Sequence, residues 1–351
     1  MKKLLPLIVL FALILTALTG CRERLDTSRW RAVQGAVRDA DGRLNVTTTN
    51  FPPFDFIREI AGDRVNLSML LPPGAENHSF EPSPRDIITM QNSGLFIYTG
   101  GESDMWVDRI LGSMNTDTMR IFSMINAVEA LEEEIVEGME APHRHDHDHH
   151  DDDHHDDHHD DEHDDEHDDD HYHDEIVLDE HVWTSPKNAI LIVRALTETL
   201  SEIDPANAGF YRENAAAYIE ALQELDAAFE DVIAAAGRRT IVFGDRFPFR
   251  YLAHDYGLEY FAAFPGCSTQ TEPSAATVAF LINKIRAEQI PVVFHVELSN
   301  ERMADTISSE TGAGKLLLHA AHNITRADFD AGVSYLEIMH RNVVHLRQAL
   351  Q

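Results

Sequence analysis

The sequence predicts an α/β protein with two lobes, each built on a parallel sheet, joined by a long connecting helix. Strand-like and helix-like segments alternate on both sides of an internal acidic tract. A helical pattern much longer than a strand-to-strand crossover needs divides the chain into comparable parts. Alternating strands and helices favour parallel sheets covered on both faces, with ligands bound at the carboxyl ends of the strands.

The N-terminal lobe is expected to span residues 44–203. Its β-branched and apolar runs predict strands at 44–49, 65–71, 95–98 and 120–123. Helices are predicted at 54–61, at 84–91 and from Pro186 to about Ile203. Pro84 and Pro186 suit the first turn of a helix, where a missing N–H is harmless.

The connecting helix is predicted at 204–237, because apolar residues recur at helical spacing from Phe210 to Val232 and Gly237 follows. No glycine interrupts it between Asn214 and Ala236, so we expect little hinge closure between the lobes. The C-terminal lobe, 238–351, should contain strands at 241–243, 258–264, 292–298 and 316–318. Its clearest helices are 273–287 and 333–350.

The first residues predict export and a lipid anchor. Lys2 and Lys3 precede an apolar run that is short for a membrane span and ends in Leu18-Thr19-Gly20-Cys21. We therefore expect a lipoprotein signal peptide at 1–20, lipid modification of Cys21 and a polar tether at 21–43. The one other cysteine is Cys267, so a lipidated Cys21 leaves no intramolecular disulfide.

The net charge of −33 excludes a nucleic-acid-binding protein, which needs basic patches, but it favours cations. Residues 143–175 supply −17 of this charge, from eighteen acidic residues and one arginine. The tract cannot bury apolar surface, so we expect it to be disordered without a ligand. A merely solvated linker would explain the acidic residues but not the thirteen histidines, whose imidazoles bind transition metals. We expect a low-affinity metal-collecting tract formed by His143, His145, His147, His149, His150, His154, His155, His158, His159, His163, His167, His171 and His173.

A single high-affinity site must lie elsewhere, at histidines that follow predicted strands or precede helices. His78, His181 and His319 have such positions. His322 is close enough to His319 to act as its hydrogen-bonding partner. His254, His340 and His345 fall in predicted helices and are expected to be surface or packing residues. His295 and Glu297 share one side of a strand, where a core histidine is the simpler interpretation.

The order of three motifs identifies a family resemblance. Pro72-Pro73-Gly74-Ala75-Glu76-Asn77-His78, the His/Asp-rich tract, and His181-Val182-Trp183-Thr184-Ser185-Pro186 follow one another on a predicted lipoprotein. From about Leu44 onward the chain resembles the metal-binding substrate-binding proteins of zinc and manganese ABC importers. The resemblance implies two Rossmann-like lobes, one ion in the cleft, and delivery to a membrane permease driven by a cytoplasmic ATPase. It also implies that His78 and His181 are the two N-terminal-lobe ligands.

The C-terminal lobe departs from the family pattern. Gly244 falls where the family usually has a third histidine, and His319 falls near the usual carboxylate ligand. We expect the imidazole to have moved, which makes His319 the third ligand. Asp245 is the tentative fourth ligand, or else it only orients a histidine; Glu272, Glu297 and water are the reserve candidates. Three imidazoles and one oxygen suit tetrahedral Zn²⁺ better than Mn²⁺, which prefers more oxygen ligands.

The function that these residues predict is capture of a transition-metal ion, zinc before manganese, by a monomeric, lipid-anchored extracytoplasmic receptor. The compartment would be a periplasm or the outer face of a membrane. A secreted zinc hydrolase is the rival enzyme class, but the sequence has no His-Glu-x-x-His or Gly-x-Ser-x-Gly motif, so we do not expect an enzyme. A surface metal buffer or adhesin would need the tract but not two lobes.

Overall fold

Two four-stranded parallel sheets form the centres of the two lobes, which confirms the predicted fold class. The structure is a computed structural model, and it describes residues 35–77, 79–139, 177–268 and 272–351. The strand orders are β2-β1-β3-β4 and β6-β5-β7-β8, so the second sheet repeats the topology of the first. This repetition brings the carboxyl ends of strands from both lobes to one shared cleft.

The N-terminal sheet is covered on both faces. Its strands are β1 (Leu44–Thr48), β2 (Val65–Met69), β3 (Leu95–Tyr98) and β4 (Arg120–Ser123), with helices α1 (Phe51–Ala61), α2 (Pro84–Gln91) and α3 (Met105–Leu111). Leu95 and Ile97 of β3 belong to the main core that α1 completes. Phe96, which points the other way, packs with Met90 of α2 and Val107 of α3. Successive strand residues therefore serve opposite faces, as a doubly covered sheet requires.

The C-terminal sheet follows the same plan. Its strands are β5 (Thr240–Phe247), β6 (Glu259–Pro265), β7 (Val292–His295) and β8 (Gly314–Leu317). Phe243 and Phe294 join the main core, whereas Val242 and Val293 join a second core with Ala304.

The described residues after position 177 contain seven α-helices. They are α4 (Pro186–Ile203), α5 (Ala208–Ala234), α6 (Arg250–Tyr256), α7 (Ala275–Glu288), α8 (Arg302–Thr311), α9 (Arg326–Asp330) and α10 (Tyr335–Leu350). Single 3₁₀ turns occupy Gly62–Arg64, Glu102–Asp104, Ile125–Ala127 and Val182–Thr184.

The predicted long helix is present as α5, an unbroken element of 27 residues. It packs against α1 and α4 of the N-terminal lobe and against α10. Its buried side chains recur three or four residues apart: Tyr211, Ala215, Tyr218, Leu222, Leu225, Phe229 and Val232. The main core therefore runs continuously through both lobes along this helix.

Several element boundaries differ from prediction for local reasons. α8 was not predicted, because it buries only Ala304 and Ile307 and so shows little apolar periodicity. β5 extends to Phe247 because a β-bulge between Phe243 and Arg246 lets pairing with β6 resume. β7 ends at His295, short of the predicted 298, and Leu298 has a left-handed backbone with φ of 58°.

No helix within the described residues combines the length and apolar character that a membrane crossing needs.

Part of the predicted tether lies on the N-terminal lobe. Arg38 forms an antiparallel bridge with Leu44, and its guanidinium pairs with Asp204 at 3.0 Å. Folded chain therefore begins before residue 44, and residues 21–34 of the predicted tether lie outside the described residues.

Asp55 joins α1 to the N-terminus of α10. Its buried carboxylate accepts a 2.7 Å hydrogen bond from the backbone N–H of Tyr335 and pairs with Arg58. Burial raises the pKa of Asp55 to about 7, although Arg58 and the Tyr335 N–H favour the charged form. The stability of this contact should therefore depend on pH.

We expect Asp55→Asn to reduce the pH dependence of unfolding. The folded pKa lies above the ordinary value of about 3.9, so the stabilising contribution is complete below pH 4 and is lost as pH rises through 7. The wild type should lose roughly 2 kcal/mol relative to Asp55→Asn between pH 5 and pH 8, measured by urea unfolding. Glu220→Gln, at an exposed position of α5, is the control. An equal pH response in the wild type and Asp55→Asn would contradict the prediction.

Candidate metal centre

A pocket of about 30 Å³ lies between the lobes, which is room for about one water molecule or a bare ion. Loops that follow β2, β7 and β8 line it, together with the end of β5 and the turn after residue 179. The wall residues from the N-terminal lobe are Ala75, Glu76, Asn77 and His181. Those from the C-terminal lobe are Arg246, Pro248, Gly266, Val296, Glu297, Leu298, Ala320, His322 and Asn323. The site is therefore where the α/β topology predicts a ligand.

His181 is the predicted ligand that the structure places in this pocket. It is fully buried and directly precedes the 3₁₀ turn Val182–Thr184. One carboxylate oxygen of Asp179 accepts hydrogen bonds from the His181 backbone N–H at 2.8 Å and from Nδ1 at 3.1 Å. A proton fixed on Nδ1 leaves Nε2 as the basic nitrogen that a metal ion needs.

The surroundings of His181 are acidic. Burial would lower its pKa, but the carboxylates of Asp179, Glu180 and Glu133 raise it above the ordinary value. Tyr251 donates a 2.7 Å hydrogen bond to the Asp179 carbonyl and so ties this segment to α6. Buried negative charge of this kind is favourable beside a cation and costly without one.

Glu180 is a second buried group at the pocket. Its carboxylate accepts hydrogen bonds from the Ser103 hydroxyl and, at 3.0 Å, from the Ser103 N–H. Burial raises the pKa of Glu180 to about 7, against the opposing effects of His181 and Ser103. Gly101 permits this arrangement, because it has a φ of 99° and a Cβ there would lie 2.9 Å from the Glu180 Cβ.

His322 completes the group from the C-terminal lobe. Its ring centroid lies 5.0 Å from that of His181 and 5.0 Å from that of Trp183. Glu180, His181 and His322 each offer a ligand atom within 4.8 Å of the others, and the described residues contain no second group of this kind. Two imidazoles and one carboxylate make up most of a tetrahedral zinc set.

The other predicted ligands have different positions. His78 lies outside the described residues, directly after Asn77 of the pocket wall. His319 Nδ1 accepts a 2.9 Å hydrogen bond from the Ala321 N–H, and His319 is not in the group around His181. Asp245 accepts a 3.2 Å hydrogen bond from the Val296 N–H and lines the neighbouring cavity rather than the pocket.

Two further candidates from the sequence, Glu272 and His295, lie within the described residues, whereas the auxiliary residues do not. Glu272 is 81% exposed beside Arg302, and His295 Nδ1 faces the Val296 carbonyl. Cys21 and the thirteen histidines of the acidic tract lie outside the described residues.

Gly244, which falls where the family usually has a third histidine, packs against α8 and lines the neighbouring cavity. A Cβ at this position would lie 2.8 Å from the backbone N and Cα of Ala304 in α8, so only glycine fits. The bulge that follows Gly244 brings Arg246 to the pocket wall instead. A bulge of this kind shifts the side-chain alternation, which a motif comparison cannot detect.

Sequence reasoning did not place His322 in the pocket, because the turn that carries it depends on an unusual backbone. Ala321 has a left-handed conformation with φ of 58°, which reverses the chain between His319 and His322. Glu297 holds this turn, since its two carboxylate oxygens accept the N–H groups of Ala320 at 2.7 Å and His322 at 2.9 Å. The pair of histidines three residues apart was the only signal in the sequence.

Two α/β lobes with buried imidazoles and a carboxylate between them have the architecture of a solute-binding protein, with a candidate metal site. The chain belongs to the family described as zinc-uptake complex component A, periplasmic, whose model matches residues 46–349.

Two curated relatives illustrate the similarity. The high-affinity zinc uptake system protein ZnuA of Bacillus subtilis (strain 168) is 30% identical over 319 residues, 91% of each chain. The zinc-binding lipoprotein AdcA of Streptococcus pneumoniae (strain ATCC BAA-255 / R6) is 31% identical over 314 residues. That match covers 89% of this chain but only 56% of AdcA, so the chain spans about half the length of this relative.

Two solved structures are similar to this chain in fold and sequence. The Zn(II)-bound ZnuA-like domain of S. pneumoniae AdcA has a TM-score of 0.68 and 28% identity, covering 88% of this chain and 99% of the domain. The metal-dependent lipoprotein YcdH of B. subtilis has a TM-score of 0.70 and 26% identity, covering 88% of this chain and all of that one.

We expect Glu297→Gln to weaken zinc binding about tenfold, because an amide nitrogen would face one of the two N–H groups that hold the His322 turn. The measurement is competitive zinc titration of the full chain. Glu310→Gln, which changes an exposed carboxylate of the same lobe, should have no effect. Unchanged affinity in Glu297→Gln would show that the turn holds its shape without this carboxylate.

Proposed function

We propose that this chain is the extracytoplasmic receptor of a zinc ABC importer, which captures one zinc ion in its cleft and delivers it to the membrane permease. The observation that carries the proposal is the buried group of Glu180, His181 and His322 between the lobes. Membership of a zinc-uptake family and relatives named as zinc-binding support zinc as the cargo. Manganese is the second candidate, and the two clustered imidazoles speak against it because manganese prefers oxygen ligands.

The proposed ligands are His181 and His322, with Glu180 as the carboxylate and His78 as a further imidazole. The position of Asn77 on the pocket wall supports His78, since residue 78 follows it directly. His319 and Asp245 remain the alternatives from the sequence, and their hydrogen bonds to neighbouring backbone groups favour a role in holding the loops. Binding requires neutral imidazoles and an ionised carboxylate, so zinc binding should release protons and weaken in acid.

Substitution of each histidine tests the ligand set. We expect His322→Ala and His181→Ala each to weaken the tight zinc site at least about a hundredfold, because each removes a direct ligand, and His319→Ala to weaken it about tenfold. Competitive titration of the full chain with less than one equivalent of zinc and a strong chelator isolates this site from weaker ones. His340→Ala, at an exposed position of α10, is the control.

Either of two outcomes would change the assignment. Loss of the tight site in His319→Ala but not in His322→Ala would restore the ligand set predicted from sequence. Absence of any tight site in the wild type would reject the receptor function itself.

We also propose that residues 143–175 collect metal for the cleft and that Cys21 carries a lipid anchor on a monomeric receptor. The described residues that flank the tract support the first proposal. Glu132 and Leu178 form an antiparallel bridge, and the Asp179 N–H donates to the Leu131 carbonyl at 2.9 Å. The described chain that follows the tract therefore begins next to Asp179, the residue that orients His181.

Deletion of residues 143–175 should leave one tight zinc site, because the bridge between Glu132 and Leu178 lies outside the deleted segment, and should lower zinc uptake by cells when the metal is scarce. Titration measures the first result and growth in chelator-treated medium the second. Unchanged uptake would contradict a collecting role. Loss of the tight site would instead support a surface metal buffer.

A further inference from the structure

A two-point ion pair connects the lobes at the edge of the metal pocket. Arg246 Nη1 donates to Glu76 Oε1 at 3.2 Å, and Nη2 donates to Glu76 Oε2 at 3.1 Å. Glu76 lies in the loop after β2, whereas Arg246 belongs to β5. Arg246 Nη1 also donates to the Ser268 carbonyl at 3.3 Å, so the guanidinium is held on its own lobe as well. The Arg246 side chain is 13% exposed and the Glu76 side chain 40% exposed, so the pair is buried on the arginine side and partly screened by solvent on the glutamate side.

This pair forms part of the wall between two spaces. On one side is the pocket that holds His181 and His322. On the other side is a cavity of about 210 Å³, lined by Asp245, Ser299, Asn300 and Glu301 among others. Glu76, Arg246 and Leu298 line both spaces. They are therefore the partition between the pocket and the cavity.

The two spaces differ in what they can hold. The binding pocket is the smaller of the two spaces, at about 30 Å³ against about 210 Å³, so the cavity accommodates more water than the pocket does. Three of the charged residues that line the larger cavity are carboxylates, at Glu76, Asp245 and Glu301, so it attracts cations. An ion that passes from the cavity to the pocket must cross the partition.

The electrostatics of the partition depend on the pairing. An arginine at the pocket wall repels a divalent ion, and Glu76 balances this charge only while the pair is formed. The paired state is thus the one compatible with a bound ion, and it also closes the partition.

We propose that Glu76 and Arg246 form a gate that sets the rate of zinc exchange between the outer cavity and the binding pocket. This inference rests on the proposed zinc-binding function. The gate holds the ion because the Arg246 guanidinium donates two hydrogen bonds to the Glu76 carboxylate, and not only because the two charges attract each other. A substitution that keeps the positive charge but cannot form both hydrogen bonds should therefore accelerate both the association and the dissociation of zinc.

Arg246→Lys is the decisive variant, because lysine keeps the positive charge but cannot donate from a planar fork to both carboxylate oxygens. We expect zinc dissociation from the full chain into excess chelator, followed by stopped flow, to be about tenfold faster, with association accelerated to a similar degree. The equilibrium affinity should change much less than either rate. Glu76→Gln, the second variant, should accelerate dissociation without faster association, because it leaves the arginine charge unbalanced.

Arg250→Lys is the matched control. Arg250 of α6 pairs with Glu134 at 3.2 Å, which is also a contact between separate parts of the chain, but neither residue lines the pocket or the cavity. Its zinc exchange should equal that of the wild type.

The outcomes distinguish the gate from the function on which it rests. A wild type that binds zinc tightly and an Arg246→Lys variant with unchanged rates would overturn the gate alone. Equal acceleration in Arg250→Lys would also overturn it, because general loosening of the lobes would then explain the effect. A wild type without a tight zinc site would overturn the proposed function and the gate together.

Discussion

The metal centre depends on one buried tryptophan that fixes the distance between the lobes at the site. The indole N–H of Trp183 donates a 2.7 Å hydrogen bond to the Ala320 carbonyl, and the Trp183 carbonyl accepts a 2.6 Å bond from the Tyr335 hydroxyl. His181 lies two residues before Trp183, and His322 lies two residues after Ala320. The two imidazoles, which come from opposite lobes, are thus held by the same interlobe contact. Full burial of Trp183 protects these bonds from competition with water.

The loops around this contact reinforce it. Asn323 donates to the carbonyls of Pro72 and Ala75 at 2.8 and 2.9 Å, and the Gly74 N–H donates to the Ile324 carbonyl at 2.8 Å. The segment that leads to His78 is therefore bonded to the turn that carries His322. Together with the unbroken α5, these bonds are consistent with the small hinge motion expected from the sequence.

Several buried or partly buried acidic side chains surround the site. Burial raises the pKa of Glu180 and Glu133, and it raises the pKa of the Cys267 thiol well above its ordinary value. Asp179 contributes further charge at His181. The raised pKa values favour the neutral forms of these groups, and a bound cation would favour the ionised carboxylates, so cation binding would be coupled to proton release.

Much of this architecture could be predicted from sequence because it depends on local patterns. The bounds of α2, β3, β4 and α4 agree with the predicted ones, since apolar runs and helix-starting prolines mark them. His181 could be placed because it precedes a helix start in a recognisable motif. The C-terminal part of the site could not, because it depends on two backbone irregularities. The bulge after Gly244 turns Arg246 to the cleft, and the left-handed Ala321 precedes His322, which lines the pocket where His319 was expected. Neither irregularity has a residue signature of its own.

The bridge between Glu132 and Leu178 has a consequence for how this protein can diversify. Because Glu132 and Leu178 pair on either side of the acidic tract, the tract belongs to a loop that this bridge closes, and its length can change without changing the spacing of Glu133 and Asp179. Selection can therefore vary the length and histidine content of the tract from one environment to another. The geometry that decides how tightly a single ion is held stays constant, so the two traits are free to evolve separately.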